Sequence, residues 1–243
     1  MKTLNVLILC RPSQRKTLEE LVPAMWVKNF SETITINAYC LSMERQTRKG
    51  EYEIYFDYGI SRVFLVSDKE YAGSDTYSTA CILGQAIREL EIPFDIILTN
   101  TLSAYGETGH VPVQVADFLG IPFGINATEL IPASDSIVCK QLFESYEESV
   151  NIKYPCLISL SPTMSRDFVE KNTPTLFDMA NSKGIIEVFT QQDLNINPMC
   201  CGLQGSHTLV EKSVRLINEK KHDVFSSEDD GASVYLQQLI IGA

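Results

Sequence analysis

Apolar positions along the chain gather into short unbroken runs instead of alternating with polar ones. Val6 to Cys10, Val63 to Val66, Asp95 to Leu98 and, more weakly, Leu157 to Leu160 read as strands that are apolar on both faces. That is the pattern of a parallel sheet covered by helices on each side. Between the runs, apolar residues recur at helical spacing. In Asp75 to Leu90 the residues Ala80, Leu83, Ile87 and Leu90 fall three or four apart and define one face. Ser74 and Asp75 stand in front of it with side-chain oxygens suited to an N-cap. A second helix is predicted over Pro112 to Leu119, with Val115, Phe118 and Leu119 on one side and Pro112 fitting its first turn. Strand, helix and strand in this order predict an α/β domain: a doubly wound, mostly parallel sheet with helices on both faces.

The pattern changes near residue 130. Ser134 to Lys140 and Phe143 to Tyr154 predict a hairpin-like strand pair with a polar outer face. Ser161 to Gly184 is polar and irregular, interrupted by Pro162 and Pro174. A second irregular stretch, Gln191 to His207, leads into a helix predicted from Thr208 to Lys220. An acidic, serine-rich segment at 226–231 and a short amphipathic one at 232–241 follow. The expected organisation is an α/β nucleotide-binding core over 1–160 and an extended C-terminal arm with helices over 161–243. The arm wraps a partner instead of building a core of its own.

Composition narrows the class. A chain of 243 residues with 44% hydrophobic and 21% charged positions is that of an ordinary globular protein. Its formal charge of −11, from 31 acidic and 20 basic residues, repels a phosphate backbone. Arg45, Arg48 and Lys49 are diluted by Glu44, Glu51 and Glu53, so no nucleic acid partner is expected. No apolar run approaches the ~20 residues of a membrane span. The N-terminal run Val6 to Leu9 is too short for a signal-peptide core, and no small-residue cleavage site follows it. A cytoplasmic protein is expected, or one of an organelle matrix after loss of a presequence. The seven cysteines (Cys10, Cys40, Cys81, Cys139, Cys156, Cys200, Cys201) are odd in number and lack metal-ligand spacing. In a reducing compartment they read as small apolar core residues.

In an open parallel sheet, ligands bind beyond the carboxyl ends of the strands. Three loops fall there: Cys10 to Ser13, Ser67 to Thr76 and Thr99 to Pro112. The third carries Ser103-Ala104-Tyr105-Gly106-Glu107-Thr108-Gly109-His110-Val111 and opens a helix, so its backbone N–H groups and the helix dipole favour an anion such as phosphate. It has neither a P-loop Lys nor a G-x-G-x-x-G fingerprint, and a plain connection remains the alternative reading of these residues. Ser74 and Asp75 are accounted for by capping. Thr76 and Thr79 add little to helix propensity, which leaves their hydroxyls open to a ligand. There is no G-x-S-x-G elbow and no H-E-x-x-H, and His110, His207 and His222 are scattered. No catalytic residue and no metal site is expected. His110, at a helix start, is a donor within reach of a cofactor oxygen.

Taken in order, the segments resemble the beta subunit of electron transfer flavoproteins. Arg62-Val63-Phe64-Leu65-Val66-Ser67-Asp68 is similar to that family's strand and acidic turn, and Tyr71 to Ala80 to its aromatic-A-G-A/S-D-T-x-x-T-A segment. Phe94 to Leu98 resembles its central strand. Tyr105-Gly106-Glu107-Thr108-Gly109-His110-Val111-Pro112 stands for its D-G-D-T-x-Q-V loop, and Gln114 to Pro122 for the helix that follows. Further on, Tyr154-Pro155-Cys156-Leu157 resembles the family's next strand. Pro174-Thr175-Leu176 with Met179-Ala180 and Ile186-Glu187 is similar to its partner-recognition loop.

The resemblance implies an adenine nucleotide alpha hydrolase-like (Rossmann-like) fold. It implies a heterodimer with an alpha subunit that holds a redox-active FAD, and a beta subunit that binds AMP, or a second FAD in electron-bifurcating members. Electrons would pass between a dehydrogenase, such as an acyl-CoA dehydrogenase, and an acceptor. Carried over by position, Gly106, Glu107, Thr108, Gly109, His110 and Val111 line the nucleotide loop. Leu9 and Met43 lie where the first two strands approach the adenine. Asp75, Thr76 and Thr79 match the segment that faces the second flavin, and Leu176 matches the apolar anchor toward the partner.

There are also departures. Arg11-Pro12-Ser13-Gln14 leads almost directly to Thr17-Leu18-Glu19-Glu20, where the family has a V-P-D turn, a hairpin and N-P-x-D. Glu44 takes the place of Gly in L-S-M-G, Tyr105 that of an acid and His110 that of Gln. The alternative expectation is a nucleotide-binding regulatory or scaffold domain that has lost electron transfer; a nucleotide hydrolase ranks last for want of catalytic residues.

Overall fold

The computed structural model describes residues 3–13, 17–103, 108–163, 166–175, 178–179, 182–208 and 211. Residues 1–209 make one compact unit and residues 210–243 a second, of which only Glu211 is described. The helix predicted from Thr208 to Lys220 and the segment 232–241 therefore lie almost wholly outside the described residues.

Within the described residues the strands are β1 (Leu4–Leu9), β2 (Ile36–Met43), β3 (Arg62–Val66), β4 (Ile96–Asn100), β5 (Phe123–Pro132), β6 (Ser136–Leu142), β7 (Glu147–Lys153), β8 (Cys156–Leu160) and β9 (Ile185–Phe189). They form one sheet in the order β7-β6-β5-β8-β4-β1-β2-β3-β9. From β5 to β9 every neighbouring pair is parallel; β6 and β7 extend the other edge antiparallel. The four strands read from unbroken apolar runs are all central. Leu7, Ile8, Leu65, Ile97 and Ile158 are fully buried, each contributing roughly 1.5–3 kcal/mol of burial.

Helices cover both faces. Leu4, Val6 and Ile8 point to the side of α1 (Val22–Ser31), where the Trp26 ring lies tilted against Phe168 of α4 (Arg166–Asn172), centroids 4.6 Å apart. Tyr52, Tyr55 and Tyr58, from a 3-10 segment over Gln46–Tyr58, complete that layer. Leu7, Leu9, Leu41 and Phe64 point to the other side, against Ile82, Leu83 and Ala86 of α2 (Thr76–Glu89) and Val115 and Ala116 of α3 (His110–Leu119). This is the doubly wound, mostly parallel sheet expected from the sequence. The chain runs from β1 outward through β2 and β3, then crosses back to place β4 on the other flank of β1. The junction of β1 and β4 is thus the switch point of the fold.

Ile185 to Phe189, within the arm expected over 161–243, pairs with β3 through the register Arg62↔Ile185 to Val66↔Phe189. Beyond it the stretch from Gln191 to His207 is built of short turns, Gln191–Leu194, Pro198–Cys200 and Gly202–Gly205, that pack on α2.

Candidate functional site at the carboxyl edge of the sheet

Three groups of side chains stand at the carboxyl ends of the central strands. The first lies at the β1/β4 switch point. After β1 the chain turns through Arg11-Pro12-Ser13, and the Ser13 N–H donates to Glu20 Oε2 at 2.9 Å. From the end of β4, Asn100 Nδ2 donates to the Glu20 carbonyl at 3.3 Å. Ser13 Oγ, Glu20 Oε1 and Asn100 Oδ1 are nevertheless all buried without a hydrogen-bond partner among the described residues. Leaving such groups unpaired costs about 1–3 kcal/mol each, and buried polar atoms are nearly always satisfied. Three of the eight such atoms among the described residues gather at this switch point. Glu20 and Asn100 were not singled out from the sequence. Their meeting depends on a strand crossover, and no local signal announces it.

The second group is the start of α3. Gly109 adopts φ +67°, a left-handed conformation that favours glycine, and leads the chain from Thr108 into the helix. Thr108 Oγ1 accepts weakly from the His110 N–H at 3.4 Å. Thr108 and His110 are exposed, and Val111 is half-buried against the core on the α2/α3 side. Pro112 has no N–H, so the first turn offers fewer free donors than most helix starts. Gly106 and Glu107 lie outside the described residues, as does Leu176. Leu9 ends β1 only 6% exposed, and Met43 ends β2 half-buried; both pack into the same core.

The third group surrounds Asp75. As the N-cap of α2 its Oδ1 accepts from the Ser78 N–H at 2.9 Å, as the sequence predicts. Its Oδ2 accepts from the His207 N–H and from both the N–H and the hydroxyl of Thr208. The Asp75 N–H donates to Ser206 Oγ, the Ser78 hydroxyl to the Cys200 carbonyl, and Tyr77 stacks on His207 at 4.2 Å. Gly202, at φ +56°, lets the returning chain pass so close that a Cβ there would sit 2.4 Å from the Glu70 carbonyl oxygen. Burial works against the charge of Asp75, but the Ser78, His207 and Thr208 donors outweigh it and hold its carboxyl below the usual range. Thr76 and Thr79 are half-buried, and the Thr79 N–H donates to the Asp75 carbonyl. Asp68 anchors the same return through the Gln191 N–H at 3.0 Å.

Between the ends of β1 and β2 lies an ion network. Glu44, only 6% exposed in its side chain, accepts from Arg11 Nε at 3.1 Å and from Arg48 Nη1. Arg48 also binds Glu51 and donates to the Pro12 carbonyl at 2.7 Å. Burial opposes ionisation of Glu44, yet the Arg45 N–H and the two guanidiniums bring its carboxyl below the ordinary value. The acid that stands where the family has glycine in L-S-M-G is thus engaged by side chains of the protein itself. Among the described residues no cluster could hold a metal ion, and no helix is long and apolar enough to cross a membrane.

A doubly wound sheet of this order belongs to the α/β class, in which ligands bind beyond the carboxyl ends of the strands at the switch point. Residues 39–193 match the electron transfer flavoprotein domain, and the chain belongs to that family. It is 26% identical to the electron transfer flavoprotein subunit beta of Thermoanaerobacterium thermosaccharolyticum over 69% of this chain and 63% of that protein. It is 24% identical to the subunit beta of Clostridium acetobutylicum over 84% of this chain and 75% of that one. With the caffeyl-CoA reductase-Etf complex subunit CarD of Acetobacterium woodii the identity is 27%, over 64% and 58% of the two chains. The first of these matches thus spans less than two thirds of its relative.

Proposed function

We propose that this chain is the beta-type subunit of an electron transfer flavoprotein. Paired with an alpha-type subunit that carries FAD, it passes electrons between an acyl-CoA dehydrogenase-type enzyme and an acceptor. At its carboxyl edge it holds an adenine nucleotide, either AMP or the AMP half of a second FAD. The observation that carries the nucleotide is the unsatisfied set of Ser13 Oγ, Glu20 Oε1 and Asn100 Oδ1. The last two are acceptors, and they suit ribose hydroxyls or an adenine amine. The dipole at the start of α3 suits a phosphate. When bound, the flavin supplies the redox chemistry, and the two subunits supply its binding, orientation and electrostatics. The acyl-CoA partner draws support from relatives whose names carry it, the caffeyl-CoA reductase complex subunit and an acryloyl-CoA reductase electron transfer subunit of Anaerotignum propionicum.

A second reading, a nucleotide-binding regulatory or scaffold domain that has lost electron transfer, is favoured by the Glu44 network at the ends of β1 and β2 and by the chain folded over Asp75. Co-expression with an alpha-type flavoprotein, purification, an absorbance spectrum and nucleotide extraction separate the two. A complex with one flavin and AMP, or with two flavins, supports electron transfer. A chain that ignores the flavoprotein sinks that reading and leaves the scaffold.

A further inference from the structure

Cys10 and Cys40 are free cysteines thirty residues apart in sequence, and their sulfur atoms approach to 2.7 Å. Non-bonded carbon atoms rest at about 3.5–4.0 Å, and sulfur is no smaller. A disulfide bond needs about 2.05 Å. The approach follows from the register. Cys40 lies opposite Ile8 on neighbouring parallel strands, and Cys10 follows Ile8 by two residues, so both thiols leave the same face of the sheet. The Cys10 N–H still donates to the Leu41 carbonyl at 3.3 Å, which keeps the two strands together just past the end of β1.

The surroundings of the two thiols differ. Cys40 is fully buried, and burial pushes its thiol well above the ordinary value. Cys10 is half-buried, in the loop at the carboxyl edge. Tyr52 and Tyr55 close the pair off on the side of α1, with the Tyr52 hydroxyl 2.7 Å from Ser42 Oγ. Cys10 is thus the more accessible of the two thiols.

We propose that Cys10 and Cys40 form a modification site, a thiol pair that closes reversibly to an intrachain disulfide by exchange with a small disulfide, with Cys10 as the thiol that meets the reagent. In the first step the Cys10 thiolate attacks one sulfur of the small disulfide, whose other half leaves as a thiolate and takes up a proton. In the second the Cys40 thiolate attacks the Cys10 sulfur of the mixed disulfide and displaces the other half. Two protein thiols are oxidised by two electrons, the small disulfide is reduced to two thiols, and the two protons go with them. The closed bond fastens the end of β1 to β2 beside the Glu44 network.

The test treats the folded full-length chain with glutathione disulfide, quenches in acid, alkylates the remaining thiols and digests with trypsin. The diagnostic product joins the peptide of residues 3–15 to that of residues 29–45 and is lost on reduction. In Cys40→Ser, Cys10 stops as a stable glutathione adduct; in Cys10→Ser, Cys40 remains a free thiol. Wild-type protein that yields no joined peptide, whether Cys10 stays free or carries only glutathione, overturns the proposal. So does reaction of Cys40 in Cys10→Ser protein whose circular dichroism matches wild type.

Discussion

Asp75 and Thr208 are joined twice: Oδ2 of the acid accepts from the N–H and from the hydroxyl of Thr208, each at 3.0 Å. The same carboxylate caps α2, so one side chain both starts a helix and pins the chain that returns over it. Since its folded-state pKa is depressed, the tie is fully present above the unfolded value of about 3.9 and is lost as the pH falls through the folded value. Hydrogen exchange at the His207 and Thr208 amides is expected to speed up below that range while the amides of β1 stay protected. In Asp75→Asn, whose amide oxygen still caps Ser78, the 207–208 amides are expected to exchange faster already at neutral pH. Unchanged exchange in the variant refutes the tie.

Glu44 is expected to matter for stability through charge. Glu44→Ala removes the carboxylate that Arg11 and Arg48 share. A loss of about 1–3 kcal/mol is expected in urea unfolding, in line with hydrogen bonds to charged groups. Its carboxyl is also depressed, so the difference between wild type and variant is largest above the ordinary carboxylate range and shrinks as the pH falls through the folded value. A difference that is flat with pH from 7 to 3 contradicts the network.

Glu20 separates a binding role from a structural one. Glu20→Gln retains an acceptor for the Ser13 N–H but turns the other, unsatisfied oxygen into a donor. Affinity for AMP, measured by titration calorimetry, is expected to fall about tenfold, the equivalent of one hydrogen bond of about 1.4 kcal/mol. Thermal stability without nucleotide is expected to change little, since no existing bond is broken. The reverse outcome, equal affinity and a lower melting temperature, assigns Glu20 to the fold alone.

Gly84 tests the seam between α2 and α3. A Cβ there would lie 2.3 Å from the Phe118 ring, so Gly84→Ala forces the ring aside. The gain of up to about 1 kcal/mol in helix propensity is offset by about 1–3 kcal/mol of overpacking. A small net drop in melting temperature is expected, and Gly84→Ala with Phe118→Leu is expected to recover it.

How much of this was legible in the sequence depends on how each piece is solvated. β1, β3, β4 and β8 are buried over most of both faces, so their residues gather in short apolar runs and they announce themselves. The cap at Asp75 was equally plain, because a helix start needs a short acceptor at a fixed place. β2 runs Ile-Asn-Ala-Tyr-Cys-Leu-Ser-Met with a half-exposed first half, and β9 is an edge strand with no buried residue; neither carries the apolar run that marks a central strand. The site was legible only as a location. The family's loop and acidic turn could be matched by position, but the union of Ser13, Glu20 and Asn100, and the return of residues 206–208 to Asp75, exist only once strands distant in sequence lie side by side. The cysteines were read as core residues throughout. That fits the five buried ones but not Cys10 and Cys200, which are half-buried.

The pairing of β9 with β3 bears on where this polypeptide can be shortened. A fragment ending before Ile185 strips β3 of its five ladder partners, Ile185 to Phe189, and turns an inner strand into a bare margin with Val63, Phe64 and Leu65 along it. Such a margin invites edge-to-edge association with another molecule. β9 is thus, among its other duties, a guard against self-assembly, and a fragment that ends before it is expected to give aggregates.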